Sequence, residues 1–239
     1  QFLTRLPGPP AHVTSLSRSL SPSYQNQDHG LGCQFLPGPI GSVAPHLEDL
    51  LGDLVDPNVG EALRTGDFPP GRFETVDYLS APKTLIQKKL RASNPSGLTE
   101  QEYSKHKPHV VEKFSTMIGN DGLIPEHMKT KKFAQRLLPA QWDSGGPFIT
   151  ATSLPDDYVH YRQPRILTVR EWARLQLFPD RYQFRGKRTT GGIRRAGNPR
   201  LGVFERELPK YTQIGNAVPV GLAAAIGKHF RNILSKTYK

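Results

Sequence analysis

The sequence is short of the residues that staple or anchor a chain. Its 239 residues include one cysteine, Cys33, so no disulfide can close within the chain and a reducing compartment suits it. No apolar run is long enough to span a membrane and no secretory signal is read, so a soluble cytoplasmic protein is the expectation. Hydrophobic residues make up 36%, below the usual globular share, whereas Gly and Pro number 22 each. That balance points away from a tight sandwich or helical bundle and toward loop-rich structure in one or two domains. Acids are scarce too, 21 against 32 Lys and Arg, for a net charge of +11. Such an excess favours a polyanionic partner, although a merely soluble basic protein would carry the same sum. The distribution says more. Residues 162–200 hold eleven Lys or Arg against two acids, Glu171 and Asp180, a net +9. Concentrated positive charge is what phosphate contact requires; a solvated basic loop is the competing reading.

Within that segment the run Arg165 to Asp180 is the most strongly punctuated part of the chain. Thr168 followed by Glu171 is a capping box and predicts a helix start. Arg170 and Arg174 lie one turn apart on one face, and Glu171 can pair with Arg174. Val169, Trp172, Ala173 and Leu175 supply apolar packing surface, and Pro179 stops the helix. A short helix of this kind serves as a rigid bracket more readily than as an active site.

The rest reads as follows. Gln1 to Pro39 is Pro-, Gly- and Ser-rich and lacks periodicity, as loop or linker does. His46 to Val55 is acidic and apolar, a short helix packing on its leucines. Asn58 to about Ser96 is irregular, apart from a basic amphipathic piece at Lys83–Arg91 with Leu85, Ile86 and Leu90 on one side. Thr99 with Glu102 forms a second capping box and predicts a helix that Pro108 ends or kinks. Val110 to Ile118 is helical, followed by a turn at Gly119–Gly122. Phe148 to Thr152 alternates with β-branched residues and predicts a short strand. Arg185 to Arg200, with Lys187, Arg188, Arg194 and Arg195, is a Gly/Arg-rich insertion that either approaches phosphate or stays a disordered basic loop. A last helix runs from Pro219 to Leu234, with Leu222, Ile226, Phe230 and Ile233 or Leu234 as an apolar stripe. Trp142 and Trp172 are packing residues, and His160 has no Cys/His cluster beside it that would make it a metal ligand.

Two of these stretches carry a resemblance. Arg165-Ile-Leu-Thr-Val-Arg-Glu-Trp-Ala-Arg-Leu-Gln-Leu-Phe-Pro-Asp180 and Gln213-Ile-Gly-Asn-Ala-Val-Pro219 resemble the last two conserved motifs of DNA (cytosine-5)-methyltransferases, in order and near the C-terminus. The resemblance implies that Asn216, Ala217 and Val218 contact the amino-acid end of S-adenosylmethionine. It implies that Arg165, Thr168, Arg170, Glu171 and Arg174, with Gln213 and Gly215, scaffold a target-recognition domain, Arg165 being the best candidate for a DNA-backbone contact. The basic insertion adds Lys187, Arg188, Arg194 and Arg195 as expected DNA contacts.

The chemistry of that family also needs a thiolate, an acid near the ring nitrogen, an arginine and a donor-binding Gly loop, and the base must be flipped out of the duplex. In the family these lie in Pro-Cys-Gln, Glu-Asn-Val, Gln-x-Arg-x-Arg and a Gly-containing loop, none of which occurs here. Cys33 sits in Gly-Cys-Gln-Phe without the preceding Pro, so it is rejected as the nucleophile and read as a bland loop or packing residue. The expectation is an irregular α+β fold. Residues 1–45 form a loop-rich segment and 46–160 a target-recognition region. Residues 161–208 carry the penultimate motif and basic loop. Residues 209–239 form the final motif and a helix belonging to a Rossmann-like methyltransferase domain that is mostly absent. The expected function is the C-terminal part or subunit of a cytosine-5 methyltransferase, inactive alone, in a restriction-modification setting. Its partners would be double-stranded DNA and a catalytic half. A non-catalytic basic DNA-binding module is the alternative.

Overall fold

The computed structural model describes residues 46–92, 94, 97–129, 135–141, 149, 155, 157–189, 198–202, 204 and 207–237. In chain order they form α1 (Leu47–Leu51) running into a 3-10 turn, α2 (Pro57–Thr65), α3 (Leu85–Arg91), α4 (Pro108–Gly119), β1 (Arg136–Leu137), β2 (Tyr158–Val159), α5 (Val169–Leu175), α6 (Lys210–Asn216) and α7 (Val220–Thr237). The two short strands pair in parallel, Arg136 opposite Tyr158 and Leu137 opposite Val159. The architecture is thus helical with a small sheet, in keeping with an α+β class. The strand expected at Phe148–Thr152 lies outside the described residues except for Ile149, as do Trp142, Cys33, Arg194 and Arg195.

The main core is built around α5, all of whose residues are buried. The Thr168 hydroxyl accepts from the Glu171 N–H while the Glu171 carboxylate accepts from the Thr168 N–H, so the expected capping box is formed. Trp172 is fully buried between Tyr158 and Tyr211, its ring centroid 5.9 Å and 6.0 Å from theirs. Leu47, Leu50 and Leu51 of α1, Leu90 of α3 and Ile214 of α6 complete the same cluster. The acidic, leucine-bearing segment, expected as a surface helix packing on its leucines, thus places those leucines in the main core. A second cluster joins Val59 and Leu63 of α2 to Phe73, Tyr103 and Val111.

Three local expectations fail, each for a readable reason. No helix starts at Thr99. Glu100 adopts φ 65, a left-handed conformation, and the Thr99 hydroxyl and carbonyl accept from the Arg170 guanidinium instead of capping a helix. Pro108 then begins α4 rather than ending a helix, because a first-turn Pro loses no hydrogen bond. In the supposedly irregular region, Asp56 caps α2 through the Asn58 N–H, Pro57 occupies its first turn, and Gly66 at φ 78 ends it. Leu85 does not share a buried face with Leu90: it is 84% exposed at the start of α3, whose cap is a Thr84–Gln87 box.

α7 matches the expected final helix but runs to Thr237. Its stripe is only partly covered: Ile226 is half-buried, while Leu222 is 41% exposed, Phe230 53%, Ile233 43% and Leu234 54%. No helix among the described residues is long and apolar enough to cross a membrane.

Candidate functional site

The arginines of the penultimate motif face inward. Arg165 gives both terminal nitrogens to Glu171, at 2.8 and 2.7 Å, and its Nε to Gln163 at 2.9 Å, with no exposed side chain in the pair. This corrects its assignment as a DNA-backbone contact: a guanidinium at 0% exposure, with its donors directed inward, presents nothing to a phosphate. Burial alone would raise the Glu171 pKa, but Arg165 and the Thr168 N–H outweigh it and hold the carboxyl down at about 2. Glu171 is thereby taken, and the expected Glu171–Arg174 pair does not form. Arg174 instead spans two other carboxylates, Asp53 through Nη1 and Nη2, and Asp180 through Nε and Nη2. Arg170 donates to carbonyls of Thr99, Pro179 and Tyr182 and to the Thr99 hydroxyl. The bracket role read from the sequence fits this pattern. Arg165 ties α5 to the segment just before it, and Arg170 and Arg174 tie it to remote segments and to the one that follows it.

Gln101 and His160 finish the bracket, and neither was singled out for it. The Gln101 amide accepts from the Thr168 hydroxyl at 2.7 Å and donates to Glu171 and to the Leu54 carbonyl. His160 Nδ1 accepts from the N–H groups of Arg162 and Gln163, which fixes a neutral ring with its proton on Nε2. Nε2 lies 3.7 Å from Glu171 in a site with no exposed atoms. Burial, with Arg165 nearby, pushes the His160 pKa down to about 3.

The final motif is hung directly on the penultimate one. The Tyr211 hydroxyl donates to the Leu167 carbonyl at 2.7 Å, and the Val220 N–H to the Gln176 carbonyl at 3.0 Å. Gly221 sits so close to Leu177 that an added Cβ would lie 2.8 Å from its Cδ1. Gln213 donates its amide to the carbonyls of Arg185 and Leu208, and Gly215 is buried. Between α6 and α7 the turn Asn216-Ala217-Val218 faces outward, with Asn216 exposed and Val218 59% exposed. Ala217, between them, packs against the main core.

Among the described residues, five cations of this segment pair with carboxylates of the same chain. Arg162 pairs with Glu48, Arg165 with Glu171, and Arg174 with Asp53 and Asp180. Lys187 pairs with Glu207, and Arg188 with Glu102 and the Ser104 hydroxyl. Lys187 and Arg188 nevertheless line an open polar cleft of about 670 Å³, together with Arg72, Lys210, Glu74, Glu100 and Glu102. Arg72, Glu100 and Lys210 carried no motif and were missed by sequence reading.

Residues 74–232 match the C-5 cytosine-specific DNA methylase family. The chain is 29% identical over 227 residues to the type II methyltransferase M.DdeI of Desulfomicrobium norvegicum, covering 86% of this chain and 49% of that one. It is 37% identical over 102 residues to the type II methyltransferase M.Eco47II of Escherichia coli, covering 41% and 19%. Over 183 residues it is 28% identical to DNA (cytosine-5)-methyltransferase 3 of Zea mays, covering 74% and 17%. The chain spans half or less of each of these relatives. With both motifs folded against each other and the match extending over most of the sequence, the chain belongs to the C-5 cytosine-specific DNA methylase family.

Proposed function

We propose that this chain is the DNA-recognising C-terminal portion of a DNA (cytosine-5)-methyltransferase and needs a catalytic half to act. The observation that carries the reading is α7: it follows the final motif directly and leaves Leu222, Phe230, Ile233 and Leu234 open to solvent. An apolar stripe of that length is what a missing sheet would cover. In the complete enzyme the helix would lie against a Rossmann-like methyltransferase domain, with the two motifs aligning recognition region and catalytic half.

The outward turn at Asn216, Ala217 and Val218 fits one wall of an S-adenosylmethionine site, since it presents an amide and an apolar face rather than a closed pocket. Bound there, that molecule would supply the methyl group destined for carbon 5 of cytosine. The chain's own share is to position: Asn216 to hold the donor's polar end, Val218 to exclude water. Lys187 and Arg188, with Arg194 and Arg195, would neutralise phosphates of double-stranded DNA around a flipped cytosine. A restriction-modification setting is consistent with the names of the bacterial relatives.

The test is complementation. The chain is mixed with a separately produced catalytic half bearing Pro-Cys-Gln and Glu-Asn-Val, and labelled methyl transfer to duplex DNA is followed. Transfer in the mixture and in neither part alone is expected. A chain that binds duplex DNA but never supports transfer would instead be a non-catalytic DNA-binding module.

A further inference from the structure

The polar cleft has two walls of opposite charge. One wall is a short antiparallel pairing of residues 73–76 with 98–103: Thr75 N–H to Gln101, Tyr103 N–H to Phe73 and Leu98 N–H to Val76. It carries Glu74, Glu100 and Glu102. The other wall brings three cations together through the backbone, because the Lys210 N–H donates to the Lys187 carbonyl at 3.0 Å and Arg188 follows. Across the cleft the charges pair: Lys210 Nζ lies 2.7 and 2.8 Å from the Glu100 oxygens, and Arg188 Nη1 lies 3.7 Å from Glu102. On the rim, Arg72 lies 3.7 Å from Glu74.

A pairing of this kind is costly to arrange. Glu100 reaches Lys210 from a left-handed backbone conformation, φ 65, that a side chain other than glycine rarely adopts. Lys210 and Glu100 keep 19% and 13% of their side-chain surface in contact with solvent, so the pair is held but can be reached from the cleft. Among the described residues no aromatic ring lines the cleft, so unpaired bases would find no stacking surface on them. What remains is a pair of cations, Lys210 beside the Glu100 carboxylate and Arg188 near that of Glu102, where a phosphodiester could take the carboxylate's place, while the Glu102 carbonyl and the Ser104 hydroxyl keep Arg188 in position at 2.9 and 2.8 Å.

Building on the DNA reading above, we propose that this cleft seats the backbone of duplex DNA, and that Glu100 and Glu102 keep Lys210 and Arg188 in place until phosphate exchanges for them. The carboxylates then act as built-in competitors. They lower affinity for stray anions and leave a multi-phosphate duplex as the ligand able to displace them together.

The test measures binding of the full chain to a labelled duplex by fluorescence anisotropy over a salt series. Lys210→Gln and Arg188→Gln should each flatten the slope of log K against log salt by about 0.9, one phosphate contact apiece. Lys210→Arg should restore it. Glu100→Gln should tighten binding and steepen the slope, a gain that misfolding cannot produce. Glu61→Gln, which removes an equal charge from the exposed Arg64 pair on α2, should do neither. Unchanged slopes in both cation variants, or equal effects of Glu61→Gln and Glu100→Gln, would overturn the proposal while leaving the DNA reading standing. So would competition by inorganic phosphate at matched ionic strength, or equal binding of a single strand. A wild-type chain that binds no duplex would overturn the DNA reading itself, and this proposal with it.

Discussion

Arg165 and Glu171 meet through two parallel hydrogen bonds, 2.8 and 2.7 Å long, in a site that exposes neither side chain. A pair so placed is more damaging to break than to replace, because one removed partner leaves a buried charge with no compensation. Glu171→Leu and Arg165→Met are each expected to cost about 3–5 kcal/mol of unfolding free energy. The double replacement Arg165→Met with Glu171→Leu should cost clearly less than the two single losses together. Urea unfolding of the four proteins checks this; simple additivity would show that the two residues do not act as a unit.

Arg174 tests the bracket in another way. Its planar fork serves Asp53, 121 positions earlier, and Asp180, six positions later, and Nη1 also donates to the Leu50 carbonyl at 2.8 Å. A lysine has one compact ammonium and cannot satisfy two carboxylates on different sides. Arg174→Lys is therefore expected to destabilise by about 2 kcal/mol or more, the cost of leaving a buried acceptor unpaired, despite the conserved charge. An unfolding midpoint equal to wild type would mean that the fork geometry is not used.

These two arginines also show how much of the structure was written locally. The capping box at Thr168 and Glu171, the stop before Pro179 and the apolar stripe of α7 depend on neighbours in sequence, and all could be read there. The partners of the arginines could not. Asp53 sits in a segment that looked like a surface helix, and Gln101 sits behind a false capping box whose threonine belongs to Arg170. The charge count is incomplete for the same reason: it shows the cations but not the carboxylates, distant in sequence, that stand beside Arg162, Arg174 and Arg188. Asp56, Pro57 and Gly66 were a legible start and stop for α2, and went unused.

Acid should unfold the chain early. Burial pushes the His160 pKa to about 3 and, with Arg165 and Arg188 adding to it, the His106 pKa to about 4, from the ordinary 6.5. Both are held neutral in the fold, so the unfolded chain takes up the extra protons. Stability is fully present above pH 6.5 and falls as pH drops toward the folded-state values, by about 1.4 kcal/mol per pH unit for each histidine. Glu171, depressed from 4.5 to about 2, adds a second loss that begins only below pH 4.5. His160→Asn keeps an acceptor for the Arg162 and Gln163 N–H groups and should flatten the slope between pH 6.5 and 4.5. A wild-type curve that is level across that window would show that the buried rings do not govern it.

The exposed stripe on α7 yields the prediction with the clearest separation of stability from assembly. Leu222 is 41% exposed and Phe230 53%, so each keeps about half its surface open for a partner, and replacing both with serine removes more from that open face than from the core clusters, to which neither belongs. Its own unfolding midpoint should stay within about 0.5 kcal/mol of wild type, as for other surface changes. Against a catalytic half that covers the stripe, the half of each side chain still open would contribute about 0.7–1.5 kcal/mol, half the value for full burial. The double variant should then bind that half about ten- to a hundredfold more weakly, since every 1.4 kcal/mol is about tenfold. Calorimetric titration against the catalytic half, with unfolding measured in parallel, separates the two quantities. Equal affinity for wild type and variant would mean that the stripe is not the joining face. A fall in the chain's own stability would mean that α7 already packs at home.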